Sequence, residues 1–203
     1  MNYKDHARKF IFHLFAFLKP IASAFVLVAL LQLTGLMSSV SYVAQWALLE
    51  TGLKDADNNP SENEEDFDYK FTIKDLAGNK VPFEQFKGKV IFLNLWATWC
   101  GPCRAEMDGI QNLYTKIDKE KIIFIMLSLD KDSDHVKVVD YLQKKKFTFH
   151  AYLPSGYLPQ QLRVPQIPTT FVISKDGKIM KKEIGSMQYD TAKFQKFLET
   201  LSQ

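Results

Sequence analysis

Apolar and polar positions divide the chain into two kinds of material. Residues 20–49 form an unbroken stretch without a charged side chain, densest over 21–40. About 20 apolar residues cross a bilayer as a helix. The stretch therefore predicts a transmembrane anchor over 20–49 with its core at 21–40. Tyr42 and Trp46 follow where an interfacial aromatic belt would sit. The rivals are a buried core helix and a cleaved signal peptide. Ala22-Ser23-Ala24 fits a small-residue cleavage site, but Lys19 and Pro20 interrupt the apolar run before it and the strongest run comes after it. The shorter run at 10–18 cannot span alone; it lies in the interface or extends the helix. Residues 50–66 are rich in Asn, Asp and Glu, bury too little apolar surface to offset the entropy of ordering, and predict a flexible tether. They lack the regular spacing of a calcium loop.

From residue 67 onward the pattern switches between strand and helix periods. Residues 71–73 predict a short strand and Ala77-Gly78-Asn79 a turn. Residues 89–96 (KVIFLNLW), apolar after a Lys-Gly turn, predict a strand buried on both faces. Met107, Ile110, Leu113, Tyr114 and Ile117 then recur at helical spacing. Residues 121–129 predict a second buried strand. A polar helix over 132–146 turns Val136, Val139 and Leu142 inward, and 147–153 is strand-like. Residues 169–174 and 178–184 flank Lys175-Asp176-Gly177 as a hairpin. A last helix puts Phe194, Phe197, Leu198 and Leu201 on one face. No internal repeat is visible. This order predicts an α/β domain over 67–203 with a mixed central sheet flanked by helices.

Composition changes the picture by exclusion. With 46% hydrophobic and 24% charged residues among 203, the chain is neither disordered nor collagenous. Its 2 cysteines cannot build a disulfide framework. A net charge of +3 does not call for nucleic acid. The charge is segregated: residues 1–19 carry +3, 50–69 carry −7 and 70–203 carry +7. Basic residues gather before the apolar stretch, so 1–19 is expected in the cytoplasm and the domain outside it, at the periplasmic or outer face of a bacterial membrane.

The chemistry sits at Trp99-Cys100-Gly101-Pro102-Cys103. The pair stands directly after a predicted buried strand and before a predicted helix, so Cys100 meets the free N–H groups and dipole of a helix N-terminus, which favour a thiolate. The effect is bounded. Lowering a thiol pKa from about 8.5 to about 7 raises the thiolate fraction about fifteen-fold but weakens each thiolate about five-fold, a net gain of about three-fold. Positioning of the second sulfur and docking of the partner must supply the rest. Cys100 is the attacking nucleophile; Cys103, one turn further and less exposed, resolves the mixed disulfide. Zinc would need two more ligands, and His6, His13, His135 and His150 stand at no finger-like spacing. An inert structural pair fits poorly with flanks that expose and polarise the first thiol.

The run FLNLWATWCGPCRAEM at 92–107 resembles the active-site segment of the thioredoxin superfamily, and more narrowly the membrane-anchored TlpA/ResA-like thiol–disulfide oxidoreductases. The likeness covers about 68–203 and includes the leading hairpin, the Lys87-Gly88-Lys89 turn, a helix–strand insertion near 132–152 and Ile167-Pro168-Thr169-Thr170-Phe171. It implies a thioredoxin-like fold, a cis Ile167–Pro168 bond packed against the cysteines, and backbone groups of Ile167 offered to a bound substrate segment. It implies that Trp99, with Gly101 and Pro102, belongs to the docking rim; Trp96 reads as core. Thioredoxins keep a buried aspartate six residues before the first cysteine; here that position is Asn94, which cannot exchange a proton near neutral pH. The ResA-like branch has a glutamate where this chain has Glu106, expected to accept the Cys103 proton; the plain alternative is a first-turn carboxylate favoured by the helix dipole. Lys144-Lys145-Lys146 reads as a solvated helix end.

By the same resemblance the chain is expected to be a tethered extracytoplasmic reductase. Its implied partners are disulfide-containing secreted or membrane proteins, such as apocytochrome c, and a membrane thiol electron donor. No cofactor beyond the cysteine pair is expected. The alternatives are a disulfide oxidase or isomerase, whose periplasmic forms usually carry a histidine between the cysteines, a peroxiredoxin, and a tethered binding or chaperone module.

Overall fold

The computed structural model describes residues 19–30, 32–34, 36–52, 54–56 and 65–203. The basic N-terminus at 1–18 and most of the acidic stretch, 57–64, lie outside the described residues. The chain divides into two units, Met1–Val40 and Ser41–Gln203.

In the first unit residues 19–30 are helical, with large apolar side chains in the open: Phe25 is 73% exposed and Leu33, just beyond, 85%. The helix expected over 20–49 is interrupted. Thr34 and Leu36 lie in turns, Thr34 Oγ1 donates to the Leu30 carbonyl at 2.8 Å, and α1 (Met37–Glu50) follows. The Thr34 N–H donates to the same carbonyl at 3.0 Å, so the hydroxyl shares the Leu30 acceptor and the helical bond is kept. Among the described residues no helix is long and apolar enough to cross a membrane.

The described residues at the two ends of the acidic stretch pair with the domain, while 57–64, the body of the expected tether, lie outside the described residues. Asp55 pairs with Gln188, and β1 (Glu65–Asp66) pairs antiparallel with Lys178 and Ile179. Ala56 and Phe67 supply the reason: each is buried, which holds Asp55 and β1 beside them against the domain.

The second unit is built on an eight-stranded sheet in the order β1-β8-β7-β4-β5-β6-β2-β3. The strands are β2 (Thr72–Asp75), β3 (Lys80–Pro82), β4 (Val90–Trp96), β5 (Ile122–Ser128), β6 (Ala151–Pro154), β7 (Thr169–Ile173) and β8 (Lys178–Ile184). β4–β5 and β5–β6 are parallel; the other pairings are antiparallel, so the sheet is mixed as expected. Helices α2 (Gly101–Lys116) and α3 (His135–Lys145) connect the parallel strands, and α4 (Ala192–Leu201) closes the chain.

β4 is the central strand, and all of its side chains are buried. Alternation splits them. Val90, Phe92 and Trp96 join the layer containing Met107, Ile110 and Leu113 of α2, Val138 and Leu142 of α3, and Phe194 and Leu198 of α4. Ile91, Leu93 and Leu95 enter the opposite layer, closed by Phe67, Tyr69, Phe71 and Phe83 rather than by a long helix. Phe71 and Phe83 stack there with centroids 4.4 Å apart. The expectation of helices on both sides thus gives way on one face to this aromatic segment.

Two local readings change. α3 starts at His135 after a 3-10 turn, so its inward pair is Val138 and Leu142, one helical turn apart, while Val136 is 66% exposed. The strand expected over 147–153 shortens to β6. Phe147 and Phe149 instead stack on each other at 5.1 Å and pack into the helical layer.

Phe92 carries much of that layer, stacked on Phe124 at 4.4 Å and edge-on to Tyr189 at 5.2 Å. Phe92→Ala is expected to cost about 3–5 kcal/mol in urea unfolding, and Val136→Ala less than about 0.5 kcal/mol. Equal costs would refute this placement of the core.

Candidate active site

β4 delivers the chain to Ala97, and Thr98-Trp99 turn it into α2. Cys100 is the N-cap: its Sγ accepts from the Cys103 N–H at 3.2 Å, and Pro102 occupies the first turn, where its missing N–H leaves no bond unmade. Cys100 and Cys103 form a disulfide with an S–S distance of 2.09 Å. Cys103 is the less exposed of the two, 1% against 5%. The first sulfur is more shielded than its position suggested; what meets solvent is Trp99, 62% exposed. Trp96 is fully buried.

The turn into Cys100 is held by Asp130, which sequence reasoning missed. Thr98 donates its N–H and its hydroxyl to the two Asp130 oxygens at 2.8 and 2.6 Å, and Ser128 Oγ donates to one of them at 2.6 Å. The signal was an acid just past the end of β5, whose last residue, Ser128, lies opposite Trp96 in the parallel ladder.

Opposite the cysteines the Ile167–Pro168 bond is cis. Cys100 Sγ lies 3.7 Å from the Ile167 carbonyl oxygen. Ile167, Trp99, Leu129, Leu158, Leu162 and Arg163 line an open cleft of about 400 Å³ beside that sulfur. Arg163 sits over the Tyr157 ring at 5.1 Å, and with Gln166 it is the polar part of a mostly apolar wall. On the other side of the pair, Gly101 is buried and the Pro102 carbonyl accepts from Ser186 Oγ at 3.1 Å.

Beneath the disulfide lies Glu106, 1% exposed. Strand parity turns Asn94 to the same side as Phe92 and Trp96, and its Nδ2 donates to Glu106 Oε1 and to Thr170 Oγ1, each at 2.8 Å. Thr170 is its cross-strand partner on β7. The Met187 N–H donates to Glu106 Oε2 at 3.1 Å. Burial dominates these two donors and pushes the Glu106 carboxyl from 4.5 up to about 8. Tyr189 is fully buried nearby; burial first, then the Glu106 charge, holds its hydroxyl well above 10.0. Among the described residues no cluster of three His, Cys, Asp or Glu side chains could hold a metal ion.

A cysteine pair capping the helix after the central strand of a mixed sheet, faced by a cis proline, defines a thioredoxin-like dithiol–disulfide protein. The profile of the Redoxin family matches residues 64–198, and the chain belongs to that family. It is similar to the thiol-disulfide oxidoreductase ResA of Bacillus cereus (strain ZK / E33L), 38% identical over 116 residues that make up 57% of this chain and 66% of the relative. It is also similar to the sporulation thiol-disulfide oxidoreductase A of Bacillus subtilis (strain 168), 29% identical over 125 residues, 61% of this chain and 75% of that one. The chain spans 64% to 66% of the length of the ResA proteins it matches first. Among solved structures, StoA from Bacillus subtilis superposes with a TM-score of 0.51 at 26% identity, over 66% of this chain and 96% of that chain. A thioredoxin-family thiol:disulfide interchange protein from Chlorobium tepidum TLS shares the fold, with a TM-score of 0.53 at 21% identity over 73% and 99%.

The raised Glu106 pKa fixes a sign for stability against pH. Below 4.5 both folded and unfolded chains hold the proton. Between 4.5 and about 8 the unfolded chain loses it while the folded one keeps it, so stability falls as pH rises, and the slope vanishes above about 8. Urea unfolding of the oxidised protein is expected to show Glu106→Gln gaining on the parent across that window, by at most about 5 kcal/mol. A pH-independent difference would refute the buried, neutral carboxyl.

Proposed function

We propose that the protein is a membrane-tethered, extracytoplasmic thiol–disulfide oxidoreductase that reduces disulfides of secreted or membrane proteins. The observation that carries this reading is a cysteine pair that has an open cleft at Trp99 and Ile167 on one side and a buried carboxyl, Glu106, one helical turn beyond Cys103. The cleft beside Trp99 and Ile167 takes an extended substrate segment, whose backbone meets that of Ile167. The Cys100 thiolate attacks one substrate sulfur, the substrate disulfide breaks, and its other sulfur leaves as a thiolate. In the fraction of molecules whose Glu106 is ionised, about one in ten at pH 7 for a carboxyl near 8, Cys103 gives its proton to the carboxylate and attacks Cys100, which releases the second substrate thiolate. Two electrons pass from the dithiol to the substrate, and a membrane thiol donor restores the pair. No metal or organic cofactor takes part in this exchange.

The raised Glu106 pKa suits that step. A carboxyl near 8 lies close to an ordinary thiol at about 8.5, so the proton moves between them with little bias. Attachment to the membrane, N-terminus inside, is supported by the uncharged stretch 20–49 behind a basic segment and by the exposed apolar side chains of Phe25 and Leu33. By resemblance the substrates include cysteine pairs such as that of apocytochrome c.

The deciding measurement is the reduction potential of Cys100–Cys103 in the full chain, read by tryptophan fluorescence across dithiothreitol and glutathione buffers. A value near or below about −250 mV is expected of a reductant. A value of about −120 to −180 mV would make the protein an oxidase or isomerase. No reversible two-electron transition would leave a tethered binding module, and consumption of hydrogen peroxide would mark a peroxiredoxin.

Roles within the pair are tested separately. Cys103→Ser is expected to accumulate a mixed disulfide at Cys100. Glu106→Gln is expected to slow release of that intermediate about ten-fold or more and to change the alkylation profile of the thiols. Unchanged thiol pKa values and rates would remove Glu106 from the mechanism.

A further inference from the structure

The segment in front of the domain reaches the active site. α2 presents Pro102, Glu106, Gly109 and Asn112 along one face, three and four residues apart. The loop at 185–190 runs down that face. Ser186 Oγ donates to the Pro102 carbonyl at 3.1 Å, and the Met187 N–H donates to Glu106 Oε2 at 3.1 Å. The Gln188 and Asp190 side chains come within 3.6 Å of where a Cβ on Gly109 would stand, and Asn112 Nδ2 donates to Asp190 Oδ2 at 3.0 Å.

Residues 54–56 hold the outer edge of this loop. The Gln188 N–H donates to the Lys54 carbonyl at 2.8 Å, and the Ala56 N–H donates to the Gln188 carbonyl at 3.0 Å. Both backbone groups of Gln188 are thereby satisfied by this segment, one peptide away from the N–H that holds Glu106. Ala56 is 2% exposed and packs in the same layer as Cys100, Cys103 and Tyr189. The segment lies before the 64–198 region matched by the Redoxin profile.

We propose that residues 54–56 belong to the active site as positioning residues: they clamp the loop whose Met187 N–H holds the Glu106 carboxylate. The functional meaning of the clamp rests on Glu106 serving Cys103. A loop without its own ladder opens readily, and a buried backbone group that loses its partner drives the chain to rearrange. Releasing Gln188 therefore moves Met187, and the carboxylate loses one of its two donors. The groups facing Glu106 are Cys103 from its own helix, Tyr189 from the loop, and Asn94 from β4 with Thr170 of β7 behind it; the last two do not titrate.

The test uses the full chain in detergent, carbon-13 labelled at glutamate carboxyls, with the Glu106 signal assigned by its loss in Glu106→Gln. Ala56→Pro removes the N–H that meets Gln188; Ala56→Ser keeps it. Loss of a donor to the charged form raises a carboxyl pKa, so Ala56→Pro is expected to move the Glu106 titration up by about one pH unit, with Ala56→Ser at the parent value. Should Ala56→Pro fail to fold, Ala56→Leu, which overfills the contact, replaces it with the same expectation. An unmoved or lowered titration in the folded variant overturns the proposal, as does failure of both variants to fold, which would make the segment a folding element. The readout is the carboxyl itself, so its result stands apart from whether Glu106→Gln alters thiol chemistry.

Discussion

A carboxyl buried beneath a disulfide is the constraint on which this domain depends. Glu106 meets two donors, Asn94 Nδ2 and the Met187 N–H, and no cation is among the groups that shift it. Burying a charge with so little compensation is costly, and the group answers by holding its proton. A solvated glutamate titrates near 4.3 on average, about four units too acidic to take a proton from an ordinary thiol. Burial closes that gap. The same burial accounts for an amide at 94 where the thioredoxin pattern has an acid. Two carboxyls side by side in this layer would each raise the other's pKa and compete for one proton. Asn94 supplies a donor without a second charge, so the titratable carboxyl sits on the helix rather than on the strand.

Topology places that group without any flexible element. β4 is flanked by β5 and β7, so its register is fixed from both sides, and a slip of one residue would move Asn94 to the opposite layer. Thr170 stands beside Asn94 because β7 runs antiparallel, and β7 begins at the residue after Pro168. One strand pairing therefore positions the cleft wall at Ile167 and the polar partner of Asn94 together. Asp130 does the corresponding work on the β5 side, where it fixes the turn that carries Trp99.

Much of this was legible because strong periodicity reports burial. The run at 89–96, the helical spacing from Met107 to Ile117 and the hairpin around Lys175-Asp176-Gly177 each became the expected element, since a strand buried on both faces or a well-spaced apolar stripe leaves few alternatives. The cysteine pair was legible from its flanks. The errors come from constraints that periodicity does not carry, some of them partners distant in sequence. Val136 and Val138 compete for the inward face of α3, and only the 3-10 turn that sets where the helix starts decides between them. Residues 54–56 read as solvated because their composition is polar, yet pairing with Gln188 orders them. Asp130 carries no periodic signal, since its role is to receive hydrogen bonds from a turn 32 residues earlier. The uncharged stretch announced one long helix, yet Thr34 and Leu36 lie in turns, and hydropathy does not register where a helix stops.

The division of labour in the site follows from magnitudes. Helix capping and dipole can raise the reactivity of Cys100 only about three-fold once its weaker nucleophilicity is counted. The sulfur is also shielded, whereas Trp99 beside it stands in the open. On the proposed reading, a shielded, mildly activated thiol would react poorly with small disulfides that cannot use the cleft, and well with a polypeptide that fills it. Burial of apolar surface against Trp99 and Leu158, together with backbone contact at Ile167, would supply the proximity that thiol chemistry alone lacks. Selectivity between disulfides would then be set at the cleft wall and timing of release at Glu106, so that changes in one need not alter the other.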